Sequence, residues 1–188
     1  MNRAAFLDRD GVINRKTPED TYVTCWEEMH FLPGVAKAIC MLKQAGFRVI
    51  VVSNQRCVAK GLITADGLDA IHRRMCSELA AAGAIIDAVY YCPHEKQPPC
   101  SCRKPAPGML LSAAYEHQVD LAASWMIGDS EDDVQAGKNA GCKTALLISS
   151  DKIPSSTADV AAQSLLDAVY KILQSVGHHR ATDKKVTQ

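Results

Sequence analysis

The sequence predicts an α/β fold, in which a parallel sheet carries helices on both of its faces. Short apolar runs alternate along the chain with amphipathic segments, and this order is typical of parallel sheets. Some of the apolar runs are nearly continuous, as expected of strands that are covered on both sides. Polar residues follow the ends of several runs, and in a parallel sheet such positions meet at one edge.

The first half of the chain contains three predicted strands, at residues 4–7, 47–52 and 85–91. The first helix begins after Pro33-Gly34 and ends at Gly46. Its apolar residues recur at helical spacing, and they are Val35, Ile39 and Leu42. Thr64 is a suitable N-cap for a second helix that runs to about residue 82, before Gly83.

The second half predicts a helix over 107–117, a strand over 125–127 and a helix that ends before Gly141. A strand over 143–148 follows. The last helix carries one apolar stripe, which we interpret as core packing: Leu165, Leu166, Val169, Ile172, Leu173 and Val176. The remaining polar residues, 177–188, are predicted to be a disordered tail, which leaves a single domain over residues 1–176.

Composition excludes several classes of protein. The chain has 188 residues, of which 47% are apolar, and this suits one globular domain. Lys plus Arg and Asp plus Glu both number 21, so the net charge is zero and neither a nucleic-acid surface nor a polybasic membrane anchor is indicated. The apolar stretches are too short to span a membrane, and the N-terminus has no signal-peptide pattern. We therefore expect a cytoplasmic monomer without nucleic-acid or membrane partners.

Two acidic residues, Asp8 and Asp10, stand where the first strand ends. Residues two apart in an extended chain face the same way, so their carboxylates repel each other unless a cation lies between them. Mg²⁺ prefers such oxygen ligands, and Asp129 at the end of another strand could supply a third. A calcium-binding EF-hand loop is excluded because Ile13 occupies the position that requires glycine. A turn with solvated carboxylates remains an alternative.

Three cysteines and a histidine are concentrated within eleven residues. The cluster consists of Cys92, His94, Cys100 and Cys102. Four such ligands complete a tetrahedral zinc site and leave no position for water, which indicates a structural site. An unliganded loop or a disulfide is the alternative, and a reducing compartment makes the disulfide less favourable. The other five cysteines are scattered, and we expect buried thiols at Cys25, Cys40, Cys57, Cys76 and Cys142.

Four segments together resemble the haloacid dehalogenase superfamily. They are Phe-Leu-Asp-Arg-Asp-Gly-Val-Ile-Asn at 6–14, Ser-Asn-Gln at 53–55, Arg-Lys-Pro at 103–105 and Gly-Asp-Ser-Glu-Asp-Asp at 128–133. The resemblance implies a Rossmann-like fold and a magnesium-dependent phosphatase.

By this resemblance, Asp8 is the nucleophile and forms an aspartyl-phosphate, while Asp10 is the general acid and base. Mg²⁺ is held by the Asp8 carboxylate, by Asp129 and by the backbone carbonyl of Asp10. Ser53 and Lys104 bind the phosphate oxygens. Asp133 matches the second acid of the fourth motif, although an acid in the first turn also stabilises its own helix.

The zinc loop followed by Arg-Lys-Pro resembles a subgroup with a minimal cap. It contains the heptose 1,7-bisphosphate 7-phosphatases and the histidinol-phosphate phosphatases, and further segments such as 90–94 and 107–111 favour the former. The resemblance implies that Asn54, Gln55 and Arg103 contact the sugar or its second phosphate. Two departures concern specificity: Ser130 replaces a common lysine, and residues 56–61 differ from the usual Ser-Gly-Ile-Ala-Arg-Gly. A non-catalytic zinc or redox module is a more distant alternative.

Overall fold

A computed structural model describes residues 2–18, 20–148 and 156–183 of the chain. Its centre is a six-stranded sheet in which every neighbouring pair is parallel. The strands are β1 (Arg3–Leu7), β2 (Phe47–Asn54), β3 (Ala88–Cys92), β4 (Trp125–Gly128), β5 (Lys143–Leu147) and β6 (Val160–Ala162). Their order across the sheet is β3-β2-β1-β4-β5-β6, which confirms the predicted fold class.

Five α-helices cover the two faces of this sheet. They are α1 (Val35–Gln44), α2 (Ala65–Ala81), α3 (Gly108–His117), α4 (Glu131–Ala140) and α5 (Leu165–Asp183). Helices α1, α2 and α5 pack in one apolar cluster together with Leu7, and α3 and α4 pack in a second cluster together with Phe6. Since successive residues of a strand face opposite sides, the two clusters lie on opposite faces of the sheet.

The predicted helix boundaries depend on identifiable caps. The Thr64 hydroxyl accepts a hydrogen bond from the backbone N–H of Gly67 and so begins α2. Gly141 adopts a left-handed conformation, with φ of 85°, and ends α4. The apolar stripe of α5 lies in the core, where Leu165, Val169 and Ile172 are buried, as predicted.

Strand β3 begins at Ala88, three residues later than the sequence predicts. Before it, the Asp87 carboxylate accepts a hydrogen bond of 2.7 Å from the backbone N–H of Val49 and also binds Lys43. The Asp87 side chain therefore accepts the hydrogen bond from the Val49 N–H group, which a carbonyl of a neighbouring strand would otherwise accept. Strand β6 was not predicted, because a run of three residues carries too little periodicity to be recognised.

Helix α5 extends to Asp183, whereas the sequence predicts a tail from residue 177. Gly177 lies within the helix, since glycine costs only about 1 kcal/mol relative to alanine there and does not by itself end a helix. Residues 184–188 of the predicted tail lie outside the described residues.

The scattered cysteines differ in burial. Cys57 and Cys142 are buried, as predicted, and Cys40 and Cys76 are partly buried. The expectation for Cys25 is wrong, because this thiol is exposed at the start of a short 3₁₀ helix, Trp26–Glu28. That helix belongs to the segment between β1 and α1, which contains no α-helix or strand among its described residues. Within the described ranges, no helix has the length and apolarity that a membrane span requires.

Candidate active site and cysteine cluster

The polar residues predicted at strand ends meet at one edge of the sheet. Asp8 follows β1, Ser53 lies near the end of β2, and Asp129 follows β4. These three strands are adjacent in the sheet, and all run in the same direction. One carboxylate oxygen each from Asp8, Asp129 and Asp133 lie within 4.8 Å of one another. The tertiary structure thus brings together acids that are more than one hundred residues apart in sequence.

Lys104 is the cation at the centre of this group. Its Nζ atom is 2.8 Å from Oδ1 of Asp8 and 2.5 Å from Oδ1 of Asp133, and it also donates to the carbonyl of Val52. The Lys104 side chain is only 3% exposed. Although burial opposes the charged form, the two carboxylates outweigh it and raise the pKa of Lys104, so the ammonium stays charged.

The acids themselves are held in a poorly solvated environment. Burial raises the pKa of Asp8 to about 7, even though the charge of Lys104 acts in the opposite direction. Burial also raises the pKa of Asp129. Closely spaced carboxylates that are costly to ionise are suited to a divalent cation, which restores the balance of charge.

Two glycines allow the acidic group to assemble. Gly11 has a φ of 93°, and a Cβ atom on it would lie 2.2 Å from Oδ2 of Asp129. A Cβ atom on Gly128 would lie 2.1 Å from the Cβ of Asp133. Any larger residue at either position would displace one of the carboxylates, so the two glycines of the first and fourth motifs are required by close packing.

Asp10 is held by three neighbouring side chains. Arg9 binds both of its carboxylate oxygens, and Asn14 and Gln55 each donate one hydrogen bond, of 2.9 and 2.8 Å. Burial opposes ionisation, but the charge of Arg9 and these hydrogen bonds outweigh it and lower the pKa of Asp10. The carboxylate is therefore fixed in one orientation beside Asp8.

Arg9 is completely buried, and its guanidinium has a second contact with His72 on α2. The distance from Nη1 of Arg9 to Nε2 of His72 is 3.1 Å. Burial and, to a smaller extent, the charge of Arg9 together lower the pKa of His72 to about 3. His72 is thus neutral, and its Nε2 lone pair can accept the hydrogen bond. Arg9 belongs to the first motif, but the resemblance implied no role for it.

Asn54 and Gln55, which the sequence resemblance predicts to contact the substrate, have hydrogen-bond partners within the protein. Asn54 donates to the carbonyl of Lys104 and accepts from its backbone N–H, at 3.1 and 3.0 Å. Gln55 is 1% exposed and donates to both Asp10 and Ser53. These hydrogen bonds connect the two amides to Lys104, Asp10 and Ser53, so both amides belong to the group of side chains around Asp8. Arg103, in contrast, lines a cavity of about 390 Å³ together with Lys104.

Lys16 belongs to the site, although it lies outside the four motifs. Its Nζ atom donates to Oδ2 of Asp129 at 2.7 Å, while its side chain remains 58% exposed. Lys16 lies in the long segment between β1 and α1, and no periodic pattern indicates where that segment passes over the sheet. The sequence therefore held no signal for this contact.

The cysteine cluster has the dimensions of a tetrahedral site. Sγ of Cys102 lies 3.2 Å from Sγ of Cys92 and 3.5 Å from Sγ of Cys100, and 3.2 Å from Nδ1 of His94. In a zinc tetrahedron with Zn–S bonds of 2.3 Å, neighbouring sulfurs are about 3.8 Å apart. All four ligand atoms lie within 4.8 Å of one another, so the cluster is compatible with zinc.

The thiols of the cluster differ in pKa. Burial opposes ionisation of Cys100, but hydrogen bonds from Cys102, from the Arg103 backbone and from Cys92 lower its pKa to about 6. Burial and the neighbouring thiols raise the pKa of Cys102 to about 12. A metal would displace the remaining protons, because the thiolate is the form that binds it.

Comparisons with known proteins agree with this geometry. A family model described as HAD-hydrolase-like matches residues 101–171. The D-glycero-beta-D-manno-heptose-1,7-bisphosphate 7-phosphatase of Rhodopseudomonas palustris is 46% identical in an alignment of 145 residues, with coverage of 73% of this chain and 79% of that protein. The D-glycero-alpha-D-manno-heptose-1,7-bisphosphate 7-phosphatase of Mycobacterium bovis is 36% identical, covering 93% of this chain and 92% of that protein.

A solved structure is similar over nearly the whole chain. It is the D,D-heptose 1,7-bisphosphate phosphatase from B. bronchiseptica in complex with magnesium and phosphate, with a TM-score of 0.81 and 36% identity. The match covers 92% of this chain and 99% of that one. That relative binds magnesium, and the carboxylates of Asp8, Asp129 and Asp133 at the sheet edge of this chain are the kind of oxygen ligands that magnesium prefers.

Proposed function

The chain belongs to the family of D-glycero-D-manno-heptose 1,7-bisphosphate 7-phosphatases, which are haloacid dehalogenase-like hydrolases, and we propose that it removes the 7-phosphate from such a bisphosphate. One structural observation supports the proposed chemical reaction. The carboxylate of Asp8 lies 2.8 Å from the ammonium of Lys104, at the carboxyl ends of the strands, where parallel sheets bind their ligands. A nucleophile and an anion-binding cation are thus adjacent.

In the proposed reaction, an oxygen of Asp8 attacks phosphorus while the bond from phosphorus to the sugar oxygen breaks. Asp10 donates a proton to that departing oxygen. Water then attacks phosphorus and gives one proton to Asp10, while the bond from phosphorus to the Asp8 oxygen breaks. This step releases inorganic phosphate and restores the Asp8 carboxylate and the Asp10 carboxylic acid. Lys104 and Ser53 hold the phosphate oxygens during both steps. Because the pKa of Asp10 is lowered in the free protein, we infer that Asp10 gains its proton when the phosphate arrives.

The acidic edge fits a magnesium ion. Asp8, Asp129 and the backbone carbonyl of Asp10 would hold it, and the neighbouring Asp133 would keep Lys104 in place. All of these donors are oxygens, which Mg²⁺ prefers. When bound, the ion would reduce the repulsion between the Asp8 carboxylate and the negatively charged phosphate. The absence of a side chain at Gly11 allows the Asp129 carboxylate to approach the backbone of the first motif.

We also propose a structural zinc ion on Cys92, His94, Cys100 and Cys102. The supporting observation is the nearly tetrahedral spacing of three sulfurs and one nitrogen. Arg103 and Lys104 directly follow the last ligand, and Arg103 donates to the carbonyl of His94. Zinc would act on catalysis indirectly, because a rigid loop fixes the position from which Lys104 reaches Asp8.

The relatives described above differ in the anomer that they act on, since one is named for the alpha and another for the beta form. The proposal therefore specifies the class of sugar and not one anomer. Histidinol phosphate is the alternative substrate of the wider subgroup, but the relatives named above are heptose enzymes. We further propose that the chain acts as a cytoplasmic monomer on a small phosphorylated sugar, and light scattering after gel filtration would test the oligomeric state.

Phosphate release from a panel of substrates tests the proposed function. The panel contains both anomers of D-glycero-D-manno-heptose 1,7-bisphosphate, the corresponding 7-phosphate and histidinol phosphate, all with added Mg²⁺. We expect the highest kcat/KM for one of the two bisphosphates, with the 1-phosphate retained in the product. A higher kcat/KM for histidinol phosphate would overturn the assignment of the substrate.

A further inference from the structure

The side chain of His72 connects helix α2 to the candidate active site. It is buried, and its Nε2 atom lies 3.1 Å from Nη1 of Arg9. The other two guanidinium nitrogens of Arg9, Nε and Nη2, both donate to the carboxylate of Asp10, at distances from 2.9 to 3.2 Å. His72, Arg9 and Asp10 thus form one hydrogen-bonded chain that runs from α2 to the proposed general acid.

The contact between Arg9 and His72 has only one possible direction. A guanidinium has hydrogen-bond donors and no acceptor, so Nε2 of His72 must be unprotonated and must accept the hydrogen bond. The proton of the neutral ring is therefore on Nδ1, which has no hydrogen-bond partner among the described residues. A ring protonated at both nitrogens would place a second donor and a second positive charge against the guanidinium. His72 is thus a neutral acceptor beside a buried cation.

A contact with a distant element matters here because Arg9 and Asp10 are consecutive in sequence. Their ion pair by itself fixes the two side chains relative to each other, but not relative to the sheet. Asn14 and Gln55 each donate to one oxygen of the carboxylate, whereas Arg9 donates to both. His72 is 63 positions away, so its hydrogen bond attaches the guanidinium to a separate helix. Because the imidazole is uncharged, it does not compete with Asp10 for the charge of Arg9.

The surroundings of His72 hold the imidazole but leave room beside it. The ring of Tyr91 on β3 lies against it, with ring centroids 5.4 Å apart and planes inclined by 57°. His72 also borders a cavity of about 340 Å³, which is further lined by Asp69, Arg73, Cys76, Val89 and Tyr91. This cavity provides space for a side chain of another shape, so His72 can be replaced without overpacking the core.

We propose that His72 is a positioning residue for the reaction: it holds the Arg9 guanidinium on both oxygens of Asp10, so that Asp10 keeps the orientation in which it donates a proton to the departing sugar oxygen. The inference rests on the proposed function, because this proton is required only when the departing oxygen is basic. Without the acceptor, Nη1 of Arg9 is a buried donor that lacks a partner. The guanidinium then moves toward another acceptor and turns the carboxylate with it.

Two substitutions of His72 differ in where they place an acceptor. The amide oxygen of Gln is as many bonds from Cα as Nε2 of histidine, whereas that of Asn corresponds to Nδ1 and does not reach Arg9. In the full chain with Mg²⁺ and zinc, His72→Asn should lower kcat for the preferred heptose 1,7-bisphosphate by about tenfold, with KM changed by less than about twofold. His72→Gln should retain kcat within about threefold of wild type.

The dependence on the leaving group separates positioning from a general loss of structure. The measurement is the rate at which the phosphorylated intermediate forms, by rapid quench. His72→Asn should slow this step about tenfold with the bisphosphate but less than about threefold with p-nitrophenyl phosphate, because nitrophenolate departs without a proton. His117→Asn is the matched control and should equal wild type. This histidine also packs against a tyrosine ring, that of Tyr90 at 6.2 Å, but it belongs to α3 on the opposite face of the sheet.

Three results would overturn the role of His72: wild-type rates of His72→Asn on both substrates, equal losses on both, or the same loss in His72→Gln. Absence of wild-type activity on the bisphosphate would instead overturn the proposed function. If His72→Asn does not fold, His72→Leu takes its place under the same criteria, since leucine fills the space of the ring without providing an acceptor.

Discussion

Oδ1 of Asp8 lies 2.8 Å from Nζ of Lys104, and the same ammonium lies 2.5 Å from Oδ1 of Asp133. One buried cation thus bridges the nucleophile proposed from the first motif and an acid of the fourth. Such an arrangement keeps the Asp8 side chain oriented without a covalent or metal constraint, and it explains why three motifs far apart in sequence act as one site.

The first prediction concerns the nucleophile. Asp8→Asn keeps the size of the side chain but removes the negative charge, so turnover should fall by at least about a thousandfold. The fold should be retained, because Lys104 still pairs with Asp133. Steady-state phosphate release and thermal unfolding measure the two effects. Asp66→Asn, at an exposed position in the first turn of α2, is the control and should match wild type. Near-normal turnover of Asp8→Asn would contradict the mechanism.

The second prediction concerns the general acid. Asp10→Asn should impair the hydrolysis of sugar phosphates more than that of aryl phosphates, because protonation matters most when the departing oxygen is basic. The ratio of kcat/KM values for the two substrate classes is the measurement. Rapid-quench detection of the phosphorylated intermediate separates its formation from its breakdown. Equal losses in the formation step on both substrates would argue against this role for Asp10.

The third prediction concerns the positioning of Lys104 by Asn54. Asn54→Ala removes both hydrogen bonds to the Lys104 backbone, which should lower the free energy of unfolding by about 1–3 kcal/mol. Turnover should fall by about tenfold, because the ammonium is no longer fixed beside Asp8. Gln135→Ala serves as the comparison, since it removes only an exposed hydrogen bond to Asn139 on α4. Equal behaviour of the two variants would show that Asn54 has no positioning role.

The fourth prediction links metal binding to pH. Burial raises the pKa of Asp8 to about 7 and raises that of Asp129, whereas Mg²⁺ requires both carboxylates to be ionised. Protons and metal therefore compete. The affinity for Mg²⁺, measured by calorimetry, should fall as the pH decreases below about 7, by up to tenfold per pH unit for each displaced proton. Asp8→Asn should have a flatter profile, and an affinity that does not depend on pH would refute the linkage.

The same pKa values set the pH dependence of stability in the metal-free protein. A carboxyl group whose folded-state pKa is raised stabilises the fold at pH values below its unfolded pKa, and this contribution is lost as the pH rises through the folded value. For Asp8 the loss should therefore occur between about pH 4 and about pH 7. The increase in Tm on adding Mg²⁺ should accordingly be larger at pH 8 than at pH 5.

The fifth prediction separates the two metals. Dialysis against a mild chelator should abolish activity, and Mg²⁺ alone should restore it, because oxygen ligands bind their ion loosely. About one zinc per chain should remain, since three thiolates and an imidazole bind far more tightly. Cys100→Ser should lose this zinc and reduce turnover, whereas Cys25→Ser, at an exposed thiol outside the cluster, should not. A purified protein without zinc, with Cys100→Ser as active and stable as wild type, would disprove the structural site.

The sequence by itself determined the fold class and the location of five of the six strands. It also determined which polar side chains follow the ends of these strands. The periodicity of the apolar residues and the continuous apolar runs indicate which residues face the core. Capping residues such as Thr64 indicate where a helix begins. The Cys/His cluster that we propose as a zinc site could also be predicted from the sequence, because four residues within one short loop can meet whatever path the rest of the chain takes.

Only the tertiary structure decided which distant side chains make contact. Lys16 and Asp129 are 113 positions apart, and their ion pair depends on how the segment after β1 crosses the sheet edge. The same holds for Asp20 with Arg56, and for Asn54, whose amide binds the Lys104 backbone. Periodicity specifies the face on which a strand or helix residue lies, but the path of an irregular segment is set by long-range contacts that leave no local pattern.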